Sequence, residues 1–119
     1  MQRTILLSKI HRGIVTMRDL NYSGSITIDK NLLDATSMKS NERVEIFNIS
    51  NGNRFSTYVI EGEAGSGMIG VNGAAARLVS IGDKIIIVNY GWMSDEECDK
   101  HEPTIIIVED DNNLQFHKK

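Results

Sequence analysis

Hydrophobic residues in this chain come in short runs, and turn residues break the runs at close spacing. That rhythm favours a barrel or a sandwich over a helical bundle. Arg3–Leu7 and Gly13–Thr16 read as strands around the polar Lys9 and His11. Residues 21–24 form a turn, and Ser25–Ile28 resumes an extended pattern. Asp29 suits the N-cap of a short helix over Lys30–Ala35, with Leu32, Leu33 and Met38 turned inward. Val44–Ile49 and Arg54–Ile60 are β-rich and flank Asn51-Gly52. Asn-Gly between two such runs is a strong hairpin signal. A glycine-rich stretch spans Gly62 to Gly73, and Ala74–Val79 predicts another short helix. Gly82-Asp83 turns into a strand over Lys84–Tyr90, and Asp95–His101 predicts a polar helix stopped by Pro103. Thr104–Val108 is a last strand, and the polar tail from Glu109 is expected to be loose.

Composition narrows the class. The chain has 119 residues without repeats or a linker, which fits one domain over 1–119. Hydrophobic residues make up 40% and charged residues 24%, a globular balance and not a disordered one. The net charge is −3 and the one basic run is Lys118-Lys119, so no nucleic-acid partner is expected. Cys98 is the only cysteine, which rules out an internal disulfide and suits a reducing compartment. No apolar signal core or membrane-spanning stretch is visible, so a cytoplasmic protein without a membrane partner is expected.

Two patterns imitate functional motifs. Gly65-Ser66-Gly67-Met68-Ile69-Gly70 matches the dinucleotide pattern G-x-G-x-x-G, but no long helix follows it. A glycine-rich turn between strands is the better reading. Cys98 and His101 sit among Glu96, Glu97, Asp99 and Glu102, yet a structural zinc site needs four Cys or His ligands. A solvated acidic helix is preferred, and no metal is expected.

Other residues group more suggestively. Lys9 and His11 are two apart and share one strand face. Charged groups on such a face make sense on the wall of a site. Arg54, Ser56 and Tyr58 alternate on one face of their strand, with Thr57 opposite. Asn72-Gly73-Ala74-Ala75 places a glycine and two tiny side chains at a helix start, where backbone N–H groups can meet a carboxylate. Asn72-Gly73 by itself is an ordinary turn, as is Gly24-Ser25.

Together these residues resemble one family, the pyruvoyl-dependent aspartate 1-decarboxylases. The resemblance rests on three blocks. The first comprises Lys9-Ile10-His11-Arg12, Val15-Thr16, Asp19-Leu20, Tyr22, Gly24-Ser25 and Ile28-Asp29. The second comprises Asn51-Gly52, Arg54-Phe55, Thr57-Tyr58 and Ile60. The third comprises Gly70, Asn72-Gly73-Ala74-Ala75-Ala76 and Gly82-Asp83. The likeness fades beyond Cys98.

The resemblance implies a mainly β fold, a double-psi β-barrel with short helices, assembled as a homotetramer with active sites between subunits. It implies self-cleavage between Gly24 and Ser25, giving a β-chain of 1–24 and an α-chain of 25–119. Ser25 would become a covalent pyruvoyl group that forms a Schiff base with L-aspartate, releasing CO₂ and β-alanine for pantothenate and coenzyme A synthesis. Such a ketone supplies the electron sink that decarboxylation requires. By the same resemblance Tyr58 returns a proton, while Lys9, Arg54, Thr57, Asn72, Gly73, Ala74 and Ala75 bind substrate. Arg54 would grip a carboxylate through both oxygens, and Lys9 would meet the second one. His11, Tyr22, Phe47 and Ile86 would line the site, with Phe47 standing where family members often carry tryptophan. A maturation factor is a further partner that the resemblance admits. Two other readings remain at this stage: a pyruvoyl enzyme for another acidic amino acid, and a β-barrel binding module that never cuts itself.

Overall fold

The valine and isoleucine runs fold as strands because β-branched side chains pack well on a pleated surface. A computed structural model describes residues 1–112 and the backbone of 116–118. Its strands are β1 (Gln2–Ile14), β2 (Met17–Asp19), β3 (Ser25–Asp29), β4 (Arg43–Asn48) and β5 (Arg54–Gly62). They continue with β6 (Ile69–Asn72), β7 (Lys84–Ser94), β8 (Thr104–Val108) and β9 (Phe116–Lys118). Between them lie α1 (Lys30–Thr36), α2 (Asp95–Lys100) and a 3-10 helix, Gly73–Leu78.

The sheet runs in the order β2-β6-β3-β5-β4-β7-β1-β8-β9. The path closes because β1 and β2 are almost continuous. Thr16, in the gap between them, donates its N–H to the Ile69 carbonyl at 2.9 Å and accepts from Ile69 N–H through Oγ1 at 3.0 Å. The joined β1/β2 path therefore flanks both β7 and β6, and six strand paths form a closed wall. This mainly β architecture with short helices is compatible with the expected double-psi barrel. Alternate positions fill the interior: Ile10, Ile26, Ile28, Ile46, Ile69, Val71, Ile85 and Ile87 are all fully buried.

Two sequence expectations need correction. The segments on either side of Lys9 and His11 are one 13-residue strand, with register shifts between Leu6 and Ser8 and between Ile10 and Gly13. Bulges absorb the polar interruption without ending the strand. Within the tail expected to be loose, Asn112 is held, while residues 113–115 lie outside the described residues. Asn112 is buried, accepts from Ile14 N–H at 2.8 Å, and donates to the carbonyls of Ile14 and Gly67. Beyond it β9 pairs with β8, and Lys119 lies outside the described residues. A side-chain amide that satisfies three backbone groups orders a segment that apolar patterning cannot flag.

Asp29 caps α1, as expected, by accepting from Asn31 N–H at 2.8 Å. It also accepts from Gly65 N–H at 3.1 Å and Gly67 N–H at 2.8 Å, and it is fully buried. The G-x-G-x-x-G stretch is thus a turn folded onto a carboxylate, with Gly65 and Gly67 both at positive φ, before it enters the buried strand β6. Asp29→Ala removes the cap and strands two backbone donors. It is expected to lower stability by about 3 kcal/mol. Urea denaturation measures this, and a loss below about 1 kcal/mol, ordinary for any substitution, contradicts the anchoring role.

Candidate active site

Ser25 opens β3 at the point where the chain dives from surface to interior. Gly24 is exposed and Ser25 is 0% exposed. Its register partner across the antiparallel β3–β6 pair is Asn72. The Asn72 amide donates to Ser25 Oγ at 3.0 Å and to Thr27 Oγ1 at 3.3 Å. The Ser25 hydroxyl in turn reaches the Ser23 carbonyl at 3.4 Å. A donor aimed at a hydroxyl oxygen favours its ionised form. Asn72 turns its side chain to Ser25 and Thr27 and makes no side-chain cap on the 3-10 helix it precedes.

Register brings Tyr58 alongside. Ile26 pairs with Val59 in the parallel β3–β5 ladder, so one step back on both strands sets Ser25 beside Tyr58. On β5 the exposed Arg54, Ser56 and Tyr58 alternate with the half-buried Phe55 and Thr57 and the buried Val59. Tyr58 therefore points out of the barrel, and Thr57 takes the other face, as the alternation predicted. Tyr22, Asp19, Met17, Thr27 and Asn72 line a cleft of about 320 Å³ beside this point. Gly73 sits directly behind Gly24 at φ 75°, with Ala74 exposed and Ala75 half-buried on the turn that follows.

Arg54, Phe47 and Ile86 form a second cluster. Phe47 pairs with Arg54 on β5 and with Ile86 on β7. The Arg54 guanidinium lies 4.4 Å above the Phe47 ring, so stacking holds the cation flat. A separate cleft of about 260 Å³ adjoins these three side chains. Lys9 is half-buried on β1, opposite Val88, which in turn faces Glu45. His11 keeps step with Lys9 along β8, through the pairs Lys9 with Ile105 and His11 with Ile107.

One chain does not join the two clusters. Arg54 is four residues from Tyr58 along β5, or roughly 13 Å. Lys9 stands four strand steps from Ser25 one way round the wall, along β3-β5-β4-β7-β1, or roughly 19 Å; the other way, through β6 to Asp19, takes two steps and then ten residues of the β1/β2 path, or roughly 30 Å more. Sequence reading grouped these residues by type, but it had no measure of this separation.

Sequence reading also missed what holds the 3-10 helix. Arg18 Nε donates to the Ala76 carbonyl at 2.9 Å. The amides of Asn48, Asn51 and Asn53 all donate to the Leu78 carbonyl, at 3.2, 3.1 and 3.2 Å. The one available signal was the density of asparagine around the Asn51-Gly52 turn.

Similarity to known proteins gives the family. The family described as aspartate decarboxylase matches residues 1–115. The chain is 56% identical over 112 residues to the aspartate 1-decarboxylase of Thermoanaerobacter pseudethanolicus, covering 94% of this chain and 96% of that protein. It is 52% identical over 119 residues to the enzyme of that name from Cupriavidus necator, covering 100% and 99%. It is 52% identical over 115 residues to that from Bacillus subtilis, covering 97% and 91%. The chain belongs to the aspartate decarboxylase family. In this member Ser25 is buried, faces Asn72 and adjoins exposed Gly24. Ser94 and Glu97 form a capping box for α2, and His101 Nε2 lies 2.8 Å from the Leu6 carbonyl. Among the described residues no helix is long and apolar enough to cross a membrane.

Proposed function

We propose that this protein decarboxylates L-aspartate to β-alanine and CO₂, using a pyruvoyl group made from its own Ser25. The observation that carries this reading is the junction itself: a buried serine hydroxyl held by the Asn72 amide, directly after an exposed glycine. Ser25 Oγ adds to the Gly24 carbonyl carbon, the C–N bond breaks, and the nitrogen keeps the displaced proton. The resulting ester loses the Gly24 carboxylate by elimination, leaving a dehydroalanine at residue 25. One water hydrolyses that group to the ketone and releases ammonia. Burial and the Asn72 donor fit these residues to the step: both fix the hydroxyl in place, and the donor offsets the cost that burial sets on its ionisation.

The ketone at residue 25 supplies an electron sink for the carbanion that decarboxylation leaves. The protein's own groups do the rest. Tyr58, beside residue 25 on the outward face, returns a proton to the substrate carbon. Arg54, held flat by Phe47, pairs with a carboxylate, and Lys9 offers charge to the other. Asn72 and the backbone of Gly73, Ala74 and Ala75 orient substrate, and Thr57 helps to set the cleavage peptide. His11, Tyr22 and Ile86 complete the walls.

The separation of the Ser25 and Arg54 clusters supports a site shared between copies of the chain, in a homotetramer. Cytoplasmic placement, a role in pantothenate synthesis and a maturation factor for cleavage complete the proposal. Intact mass after denaturation tests it. Two species are expected, 1–24 and 25–119, the second lighter than the plain peptide by one ammonia. A full-length chain that persists on incubation defeats the self-processing claim. CO₂ release should favour aspartate over glutamate, and equal rates defeat the substrate assignment.

A further inference from the structure

We infer that Gly73 is a positioning residue for self-cleavage, because its missing side chain lets the Gly24 backbone take the place a Cβ would fill. The inference rests on the proposed cut at Gly24-Ser25. A Cβ built on Gly73 falls 2.6 Å from Gly24 Cα, 2.9 Å from Gly24 N and 3.3 Å from the Tyr22 carbonyl oxygen. Ordinary carbon contacts need about 3.5 Å, so something must move by about 1 Å. Its φ of 75° also disfavours any L side chain.

The surroundings decide which side moves. The 3-10 helix behind Gly73 is tied down at Ala76 by Arg18 and at Leu78 by three asparagine amides. Asn72, just before it, is buried and paired with Ser25. The facing loop is weaker. Residues 20–24 are exposed, and the Asp19 carboxylate holds one amide there, Asn21 N–H, at 3.0 Å. A side chain at 73 therefore displaces Gly24 and leaves the barrel in place. The displaced atoms flank the carbonyl that Ser25 Oγ must reach, while Ser25 itself stays anchored in β3. The step affected is the addition of that oxygen to the Gly24 carbonyl carbon, with the hydroxyl proton passing to the released nitrogen.

The test compares Gly73→Ala, Ser25→Ala and wild type by intact mass over time, with thermal melting and gel filtration alongside. Gly73→Ala should fold like the uncut Ser25→Ala chain and be cut at least about 100-fold more slowly than wild type, the usual effect of a 1 Å misplacement. A second variant, Gly73→D-Ala made by ligation of synthetic and expressed segments, points its methyl away from Gly24 and suits positive φ. It should be cut at close to the wild-type rate. Cleavage of Gly73→Ala at the wild-type rate overturns the inference. So does its failure to fold, since the loop and not the barrel is inferred to yield. An uncut but folded D-alanine chain overturns it as well. If wild type itself is never cut, the underlying reading of the junction fails, and that outcome is distinct from all three.

Discussion

Ser25→Ala should leave one uncut chain of 119 residues and no measurable CO₂ release from aspartate. The expected loss is complete because in the proposed chemistry the same oxygen serves two ends: it is the nucleophile of the cut and the origin of the ketone. No neighbour replaces it. Ser23 lies on the exposed turn, and Thr27 is two residues along β3 with its hydroxyl already bonded to Asn72. Loss of fold is not the reason for inactivity. Removing Oγ costs the Asn72 amide one buried partner and leaves the Thr27 contact at 3.3 Å, a penalty of about 1 kcal/mol. The variant should therefore melt within a few degrees of an uncut wild-type precursor. Intact mass, melting and CO₂ release on one preparation check all three points. Cleavage in the variant would show that another serine carries the chemistry.

The legibility of this chain follows the range of each signal. Asn51-Gly52 marks the β4–β5 hairpin because a turn is a local event, although the connection is residues 49–53 and not a two-residue turn, and Asp29 caps α1 for the same reason. Alternation on β5 sorted Arg54 and Tyr58 from Thr57, because a period of two is written into consecutive residues. What escaped depends on partners far along the chain. Asn112 pins Ile14, Asp29 gathers Gly65 and Gly67, and Asn48 reaches Leu78. An isolated asparagine or aspartate has no pattern that names its partner. The family resemblance supplied roles for the site residues but not the reason for Gly73, which needs the backbone of Gly24 in view.

Those long-range ties also hold the surroundings of Ser25 in place. The 3-10 helix beside Ser25 has only six residues, too few to hold itself in place by its own hydrogen bonds. Arg18 from β2 and the asparagines of the β4–β5 hairpin hold it from outside. That hairpin also carries Phe47 and Arg54. One rigid turn thus braces the Ser25 region of its own chain while presenting a cation elsewhere on the surface.

Arg54→Ala is expected to lower kcat/KM for aspartate by about 100-fold or more, since losing one partner of a desolvated carboxylate pair costs about 3 kcal/mol. Steady-state kinetics on fully cut enzyme measures this, and near-normal values refute the clamp. The position of Arg54 adds a sharper expectation. Its guanidinium is stacked on Phe47, towards β4 and away from β3, where Ser25 begins. If each site takes residue 25 from one subunit and residue 54 from another, two defective chains can repair one another. A chain with Arg54→Ala still supplies an intact residue 25, and a chain with Ser25→Ala still supplies an intact Arg54. Random pairing of the two in a co-expressed oligomer makes about a quarter of the sites whole. Activity should then rise to about a quarter of the wild-type value per site, far above either variant alone. If Arg54 serves the serine of its own chain, no site is ever whole and mixing restores nothing. The roughly 13 Å between the Arg54 and Tyr58 backbones along β5, with the guanidinium held on Phe47 on the side away from β3, favours the first outcome.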